Sequence, residues 1–232
     1  MMKTLILVRS SSVLKKIILA LSGLLLFTFV LVHLLGNLFI FSNNPNAINL
    51  YAHKLEGLGL FLRIIEVILL IIFLFHLVYS VVIAKENIQA RPQGYYQLKT
   101  AGKPSQKSMF SRSMIYTGPL LLLFILVHLK TFRFGPGMAE GYIADVNGIM
   151  MRDFHRLIIE TFHKPEYTIA YIFAMIPLGF HLRHGFKSAF QSLGVNHPNL
   201  TPFLDKTGLV LALVLTLGFI SVPAWIYITG AN

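Results

Sequence analysis

Long runs of apolar residues, separated by short polar segments, dominate the pattern of the chain. Five runs approach the ~20 residues that an α-helix needs to cross the hydrocarbon core of a bilayer. They cover residues 17–41, 61–84, 113–133, 167–190 and 207–229. The pattern predicts an all-α membrane protein with five transmembrane helices, of which four form an up-down-up-down bundle and the fifth is peripheral.

The composition agrees with lipid as the solvent. Of the 232 residues, 55% are hydrophobic and 12% are charged, and the mean hydropathy is +0.69. Cysteine is absent, which excludes disulfides, thiolate metal sites, iron–sulfur clusters and covalent C-x-x-C-H haem attachment. The basic N-terminus could open a signal peptide, but the apolar run that follows is 25 residues long. That is longer than a cleavable core of roughly 7–15 residues, so we interpret it as a retained first helix.

The basic residues predict an orientation. With the N-terminus inside, 13 of the 20 Lys and Arg residues fall on the inner side and 7 on the outer side. Since Lys and Arg accumulate in cytoplasmic segments, the expected arrangement is N-terminus in the cytoplasm and C-terminus outside. This distribution explains the net charge of +11 without nucleic acid, whose recognition requires a clustered basic patch on a folded face.

Two connecting segments are long enough to carry function. The 85–112 loop is basic, aromatic and punctuated by Gly and Pro, so we expect it to lack regular structure and to dock an acidic cytoplasmic partner. The 134–165 loop contains the sequence DFHRLIIETFHK. Its apolar residues recur at helical spacing and predict a short amphipathic helix on the outer membrane face, capping a site between helices.

Four of the nine histidines lie inside the apolar runs, namely His33, His76, His128 and His181. An ionisable group within a membrane is costly and therefore indicates function. Hydrogen-bonding between helices is the alternative explanation for any single one. Their depths match in pairs, because His33 and His128 lie 16 and 15 residues into outward-running helices, while His76 and His181 lie 8 and 9 residues before the inner ends of inward-running ones.

The depths predict two haem sites. In an up-down-up-down bundle the first and third helices face each other across one diagonal, and the second and fourth across the other. Neighbouring axes, ~8–10 Å apart, are too close for a macrocycle with an imidazole on each face, whereas a diagonal has room. A six-coordinate haem iron takes two axial nitrogens from opposite sides. We therefore expect an outer b haem between His33 and His128, and an inner b haem between His76 and His181.

A short internal repeat precedes two of these histidines. Ser22-Gly23 precedes His33 as Thr117-Gly118 precedes His128, and LVHL surrounds both histidines. Each hydroxyl lies eleven residues upstream, which places it on the same helix face and ~16 Å deeper, at the level of the other haem. The four residues are candidate haem contacts, although small residues are also a common device for packing helices closely.

The remaining polar residues provide weaker candidates. His155, His163 and His197 are expected to be solvated surface groups. His53 and Glu56 form a polar pair at the outer start of the second helix. They could donate protons to a quinone, and a plain interfacial loop is the alternative.

One more cluster follows His181 on the fourth helix. His184 lies one turn later and could compete as a ligand, although it is nearer the charged end. Arg183, His184 and Lys187 are candidate contacts for haem propionates.

At these residues the chain resembles the five-helix, di-haem cytochrome b membrane-anchor subunit of succinate dehydrogenase and fumarate reductase, the succinate:quinone oxidoreductases. In that family the pattern F-H-x-x-x-G near the end of the fourth helix carries a haem ligand on its histidine. The resemblance therefore implies that His181 is a ligand and His184 is not. The matching segments cover most of the chain: LVHLLGNLFIF, FLFHLVYS, TGPLLLLFILVHLKTFRFG and GFHLRHGFKSAFQSLG.

The resemblance implies a function. Such subunits sit in the bacterial cytoplasmic membrane and anchor a flavoprotein and an iron–sulfur protein on its cytoplasmic side. Electrons from succinate would pass through the inner and outer haems to a quinone, with menaquinone expected. The chain alone would not oxidise succinate, but it would carry the quinone-reducing part. An electron moving outward is favoured by about 2.3 kcal/mol per 100 mV of inside-negative potential.

One position departs from the family. Some fumarate-reducing relatives have a glutamate for proton transfer two residues before the fourth-helix ligand, and this chain has Gly179 there. The departure argues against a proton path of that kind and favours succinate oxidation. Two alternatives stay open: a di-haem anchor for another dehydrogenase, and a haem-free transporter that uses His and Glu as a proton relay. A relay predicts polar residues clustered at the membrane midplane, whereas these histidines fall at two levels.

Overall fold

Helices make up most of the computed structural model, which describes residues 11–90 and 109–231. Seven α-helices and one two-stranded hairpin lie in this part of the chain. The helices are α1 (Ser12–Asn37), α2 (Ala47–Glu56), α3 (Leu60–Gln89), α4 (Met109–His128), α5 (Phe154–Phe162), α6 (Pro165–Ser192) and α7 (Leu200–Thr229). The antiparallel strands are β1 (Ile143–Val146) and β2 (Ile149–Arg152).

Four helical stretches are long and apolar enough to cross a membrane. They are Ser12–Phe41, Leu60–Gln89, Ser113–Arg133 and Leu200–Thr229. Many of their large apolar side chains face outward, which an aqueous surface would not favour. The all-α membrane fold expected from the sequence is thereby confirmed at the level of a multi-pass helical protein. The remaining long helix, α6, has 28 residues, and polar residues at both of its ends lower its hydropathy.

The segment between α3 and α4 is shorter than predicted. The sequence indicated an irregular loop over 85–112, but α3 continues to Gln89 and α4 begins at Met109. Lys, Glu and Gln are good helix formers, so α3 can extend beyond its apolar run. The extension is also stabilised by a tertiary contact, because Lys15 at the start of α1 forms a salt bridge with Glu86. The docking surface was predicted over the whole 85–112 segment, and its residues 91–108 lie outside the described residues.

Helix α6 packs against three of the other long helices. It contacts α1, α4 and α7, while α3 packs along α1. Side chains from three of these helices form a shared core around Leu34, Leu182 and Leu215. Close approach depends on small residues, since a Cβ at Gly218 would lie 2.7 Å from the Leu34 side chain. The predicted peripheral helix, α7, is thus packed tightly against α6, with Leu215 fully buried.

The α2 helix, the hairpin and α5 form a compact unit, here named the cap. The amphipathic helix expected in the 134–165 segment is confirmed as α5, which begins after Asp153, whose side chain accepts a hydrogen bond from the Arg156 amide. The hairpin was not predicted. Its signal is the Asn147-Gly148 pair, whose φ angles of 56° and 79° are those of a type I′ turn.

Polar contacts hold the cap to the end of α4. The Arg152 guanidinium donates to the carbonyl oxygens of Phe132 at 3.0 Å, Gly135 at 3.0 Å and Pro136 at 2.9 Å. Phe132 lies in the last turn of the helical segment, and Gly135 and Pro136 follow it. Carbonyls at a helix C-terminus lack partners within the helix, so a cation is favoured there. Burial lowers the pKa of Arg152 from its ordinary value, but three acceptors compensate for the lost water.

Asn49 joins two parts of the cap. The side chain is 2% exposed; its amide donates to Asp153 Oδ1 at 3.1 Å and its carbonyl oxygen accepts from the His155 backbone N–H at 2.8 Å. Asn49→Ala would leave a buried donor unsatisfied, so we expect a loss of about 1–3 kcal/mol in the stability of the cap. Thermal unfolding and hydrogen exchange at the His155 amide would measure it.

The matched control for Asn49 lies at the start of the same helix. Asn46→Ala should be nearly neutral, because the Asn46 side chain makes no capping hydrogen bond. Equal effects of the two substitutions would contradict the assigned role of Asn49.

Candidate functional site: two imidazole pairs

Four histidines of the long helices meet in two pairs. The ring centroids of His33 on α1 and His128 on α4 are 5.7 Å apart, with an interplanar angle of 88°. Those of His76 on α3 and His181 on α6 are 6.1 Å apart, with an angle of 64°. The structure thus pairs His33 with His128 and His76 with His181, as predicted from their depths along the apolar runs.

The separations suit a shared metal ion. Imidazole nitrogens bind such ions at about 2.0–2.1 Å, so two rings on opposite sides of one ion have centroids roughly 6 Å apart. Two imidazoles alone do not complete the coordination of a bare ion. Among the described residues, no group of three or more His, Asp or Glu side chains could hold one. A metal that already has four equatorial ligands, as haem iron does, needs only the two axial nitrogens that each pair offers.

The His76–His181 pair has hydroxyl neighbours. Ser22 Oγ lies 3.4 Å from His76 Nδ1, and Thr117 Oγ1 lies 3.3 Å from His181 Nδ1. Both hydroxyl residues are buried. The two hydroxyls of the repeat therefore lie at the predicted depth, that of His76 and His181. In the structure they contact these two histidines themselves.

The two glycines of the repeat differ in their surroundings. A Cβ at Gly23 would lie 3.3 Å from His76 Cε1, so the absence of a side chain lets the imidazole approach α1. A Cβ at Gly118 would meet no atom within 4 Å. Gly118 adjoins Thr117 at the His76–His181 level, so a flat group could approach the α4 backbone there.

Aromatic rings surround the His33–His128 pair. Five rings lie with centroids 5.4–6.0 Å from one of its imidazoles. They belong to Phe29, Phe124, Phe132, Tyr171 and Phe219. His128 Nδ1 is buried without a hydrogen-bond partner. Buried polar atoms are normally satisfied, so this orphan atom marks the pair as a place where a further group is expected.

The other predicted candidates are placed as follows. His53 and Glu56 lie on α2, with His53 half-buried and Glu56 exposed. On α6, Lys187 forms a 3.1 Å salt bridge with Asp205 of α7, while Arg183 and His184 are half-buried. The possible quinone role of the first two and the propionate role of the last three stay predictions.

The histidines expected at the surface differ in exposure. His163 and His197 are exposed, whereas His155 is half-buried.

Sequence reasoning missed a charged bridge beside the cap. Glu66 accepts hydrogen bonds from Arg63 at 2.9 Å and from Arg133 at 3.2 Å. The first joins residues three apart on one helix, a spacing that brings side chains together. The second joins α3 to the π-helical end of α4, Leu129–Arg133, and no sequence spacing could have indicated it.

Gly179 on α6 packs directly against α7. A Cβ at this position would lie 2.5 Å from Thr216 Oγ1. Any side chain at this position would therefore have to displace the Thr216 hydroxyl. The close packing gives a physical reason for the glycine that the sequence alone could not provide.

Comparison of the chain with protein-family models, with curated proteins and with solved structures finds no match. The functional argument therefore rests on the residues and their geometry.

Proposed function

We propose that the protein is a di-haem cytochrome b membrane anchor of a succinate:quinone oxidoreductase. The observation that carries the proposal is the meeting of four histidines in two pairs, each with the spacing of an axially ligated metal. His33 and His128 would hold the iron of one b haem, and His76 and His181 that of the other. When bound, each haem supplies reversible one-electron exchange at its iron.

The chain itself would insulate and align the two sites. Within α1 and α4, eleven residues separate the hydroxyl at one level from the ligand at the other, or about 16 Å along the helix axis. The aromatic side chains around His33 and His128 would help to keep water from that site. Electrons from a cytoplasmic iron–sulfur subunit would enter at the His76–His181 level and leave for a quinone, expected to be menaquinone, at the His33–His128 level.

The proposal adds α6 as a membrane span to the four helical stretches that are long and apolar enough to cross a bilayer. Its contacts with α1, α4 and α7 enclose it among three helices that can each cross a bilayer. Packing of this kind shields the polar residues of α6 from lipid. Polar groups within a membrane are usually found in such interior positions of a helix bundle. With the N-terminus in the cytoplasm, the cap would lie outside, and the Lys15–Glu86 salt bridge and the flavoprotein and iron–sulfur partners inside.

An optical spectrum tests this proposal. The full chain, purified from membranes of a host supplied with haem, should contain two b haems, seen by pyridine haemochrome assay and by the dithionite-reduced minus oxidised spectrum. A haem-free protein under these conditions would contradict the proposal and favour a transporter.

The partner assignment needs a separate measurement. Purification of the complex from native membranes should yield a flavoprotein that oxidises succinate. A complex that oxidises formate or hydrogen instead would keep the two haem sites and change the dehydrogenase.

A further inference from the structure

We infer that Ser22 and Thr117 are positioning residues for the His76–His181 pair: each accepts the Nδ1 proton of one imidazole and so reserves its Nε2 for iron. The inference rests on the proposed function and assigns these hydroxyls a role toward the ligands, in place of direct contact with haem. A histidine has two ring nitrogens, and the partner of one decides which nitrogen can bind a metal.

Ser22 determines the direction of its hydrogen bond to His76. Its hydroxyl donates to the Ile18 carbonyl at 2.8 Å, with the Leu19 carbonyl at 3.1 Å. The one hydroxyl proton is therefore directed at the α1 backbone, and a lone pair of the oxygen faces His76 Nδ1 at 3.4 Å. In this arrangement Ser22 can only accept from His76, so we assign the imidazole proton to Nδ1, which leaves the lone pair of Nε2 available.

Thr117 repeats this arrangement on α4. Its hydroxyl lies 3.4 Å from the Met114 carbonyl, to which it donates, and 3.3 Å from His181 Nδ1. The residue is 5% exposed, so water does not compete for the contact. The inference therefore assigns the same tautomer to both histidines of this pair, each facing a hydroxyl from a neighbouring helix.

The two pairs differ in this respect. In the His33–His128 pair, His128 Nδ1 is buried without a partner. Helices α1 and α4 therefore each contribute to both pairs. Each supplies one histidine to the His33–His128 pair and one positioning hydroxyl to the His76–His181 pair. The short repeat is explained by this double task, because an eleven-residue separation keeps the hydroxyl and the ligand on one helix face.

The hydroxyls should tune the haem as well as orient its ligands. An acceptor at Nδ1–H makes the imidazole a more basic ligand and thereby favours ferric iron. Removing it should raise the reduction potential of the haem at this level. We expect Ser22→Ala and Thr117→Val each to shift its reduction equilibrium about tenfold, or about 59 mV for one electron, and to change the g values of its ferric EPR signal.

The experiment uses the full haem-loaded chain and measures haem content, the potential of each haem and the EPR spectrum. The matched control is Thr28→Ala, since Thr28 also donates to a carbonyl of α1 but is exposed. Ser22→Thr and Thr117→Ser keep the hydroxyls and should preserve both the potential and the g values. The Thr28 control should leave both haems unchanged.

The outcomes separate this inference from the proposed function. An upward shift confined to the haem of His76 and His181, or loss of that haem alone with retention in Ser22→Thr, supports it. Unchanged potentials and g values, equal shifts of both haems, or loss of both haems in Ser22→Ala overturn it. A wild-type chain without haem would instead contradict the proposed function.

Discussion

His33→Ala should reduce the haem content from two to one per chain and leave the other haem intact, and His76→Ala should do the same to the opposite haem. The chain has no cysteine, so no covalent thioether attachment can retain a haem whose axial bond is lost. The pairs are separate, because each histidine contacts its partner from another helix at 5.7 or 6.1 Å between ring centroids. Redox titration and EPR would identify the haem that remains.

Partner substitutions sharpen the test. His128→Ala should reproduce the His33→Ala spectrum, and His181→Ala that of His76→Ala, because each variant removes the other proposed ligand of the same haem. His163→Ala is the control, since this histidine is exposed at the end of α5. Loss of the same haem in His33→Ala and His76→Ala would contradict the pairing.

The levels of the histidines could be predicted from the sequence, but their immediate neighbours could not. A fixed rise per residue converts a position in an apolar run into depth, which is why His33 matched His128 and His76 matched His181. The contacts between Ser22 and His76 depend on the rotation of two helices about their axes. Rotation is set by packing among several helices, and the apolar runs, hydrophobic on all sides, indicate no preferred face.

The cap shows the same division on a smaller scale. The amphipathic pattern of α5 was sufficient to predict the helix, and the Asn147-Gly148 pair could have indicated the hairpin. The hydrogen bonds between Asn49 and a segment about a hundred residues later have no local sequence signal. Long-range polar contacts of this kind require the fold to be known.

The turn that leads from α4 into the cap affects both stability and the nearest histidine. The backbone changes to a π-helix immediately after His128, and the chain then turns at Gly135. A Cβ at Gly135 would lie 1.9 Å from the Thr131 carbonyl oxygen. The clash is with backbone, so it cannot be relieved by rotating a side chain. The Gly135 carbonyl is also held by Arg152 at 3.0 Å, which limits how far the turn can shift.

Gly135→Ala should therefore destabilise the protein by about 3 kcal/mol, the upper part of the range for overpacked sites. A lower thermal unfolding midpoint in detergent would measure the loss. Because Gly135 follows the helix end that carries His128, the haem held by His33 and His128 should change its spectrum, while the other haem should not.

Gly137→Ala is the control for this turn, because a Cβ there meets nothing closer than 3.6 Å. It should leave the unfolding midpoint and both haem spectra close to wild type. If Gly135→Ala were as well tolerated as Gly137→Ala, the close approach to Thr131 would not constrain the turn. If Gly135→Ala disturbed only the haem of His76 and His181, the assignment of His128 to the haem site next to the cap would be wrong.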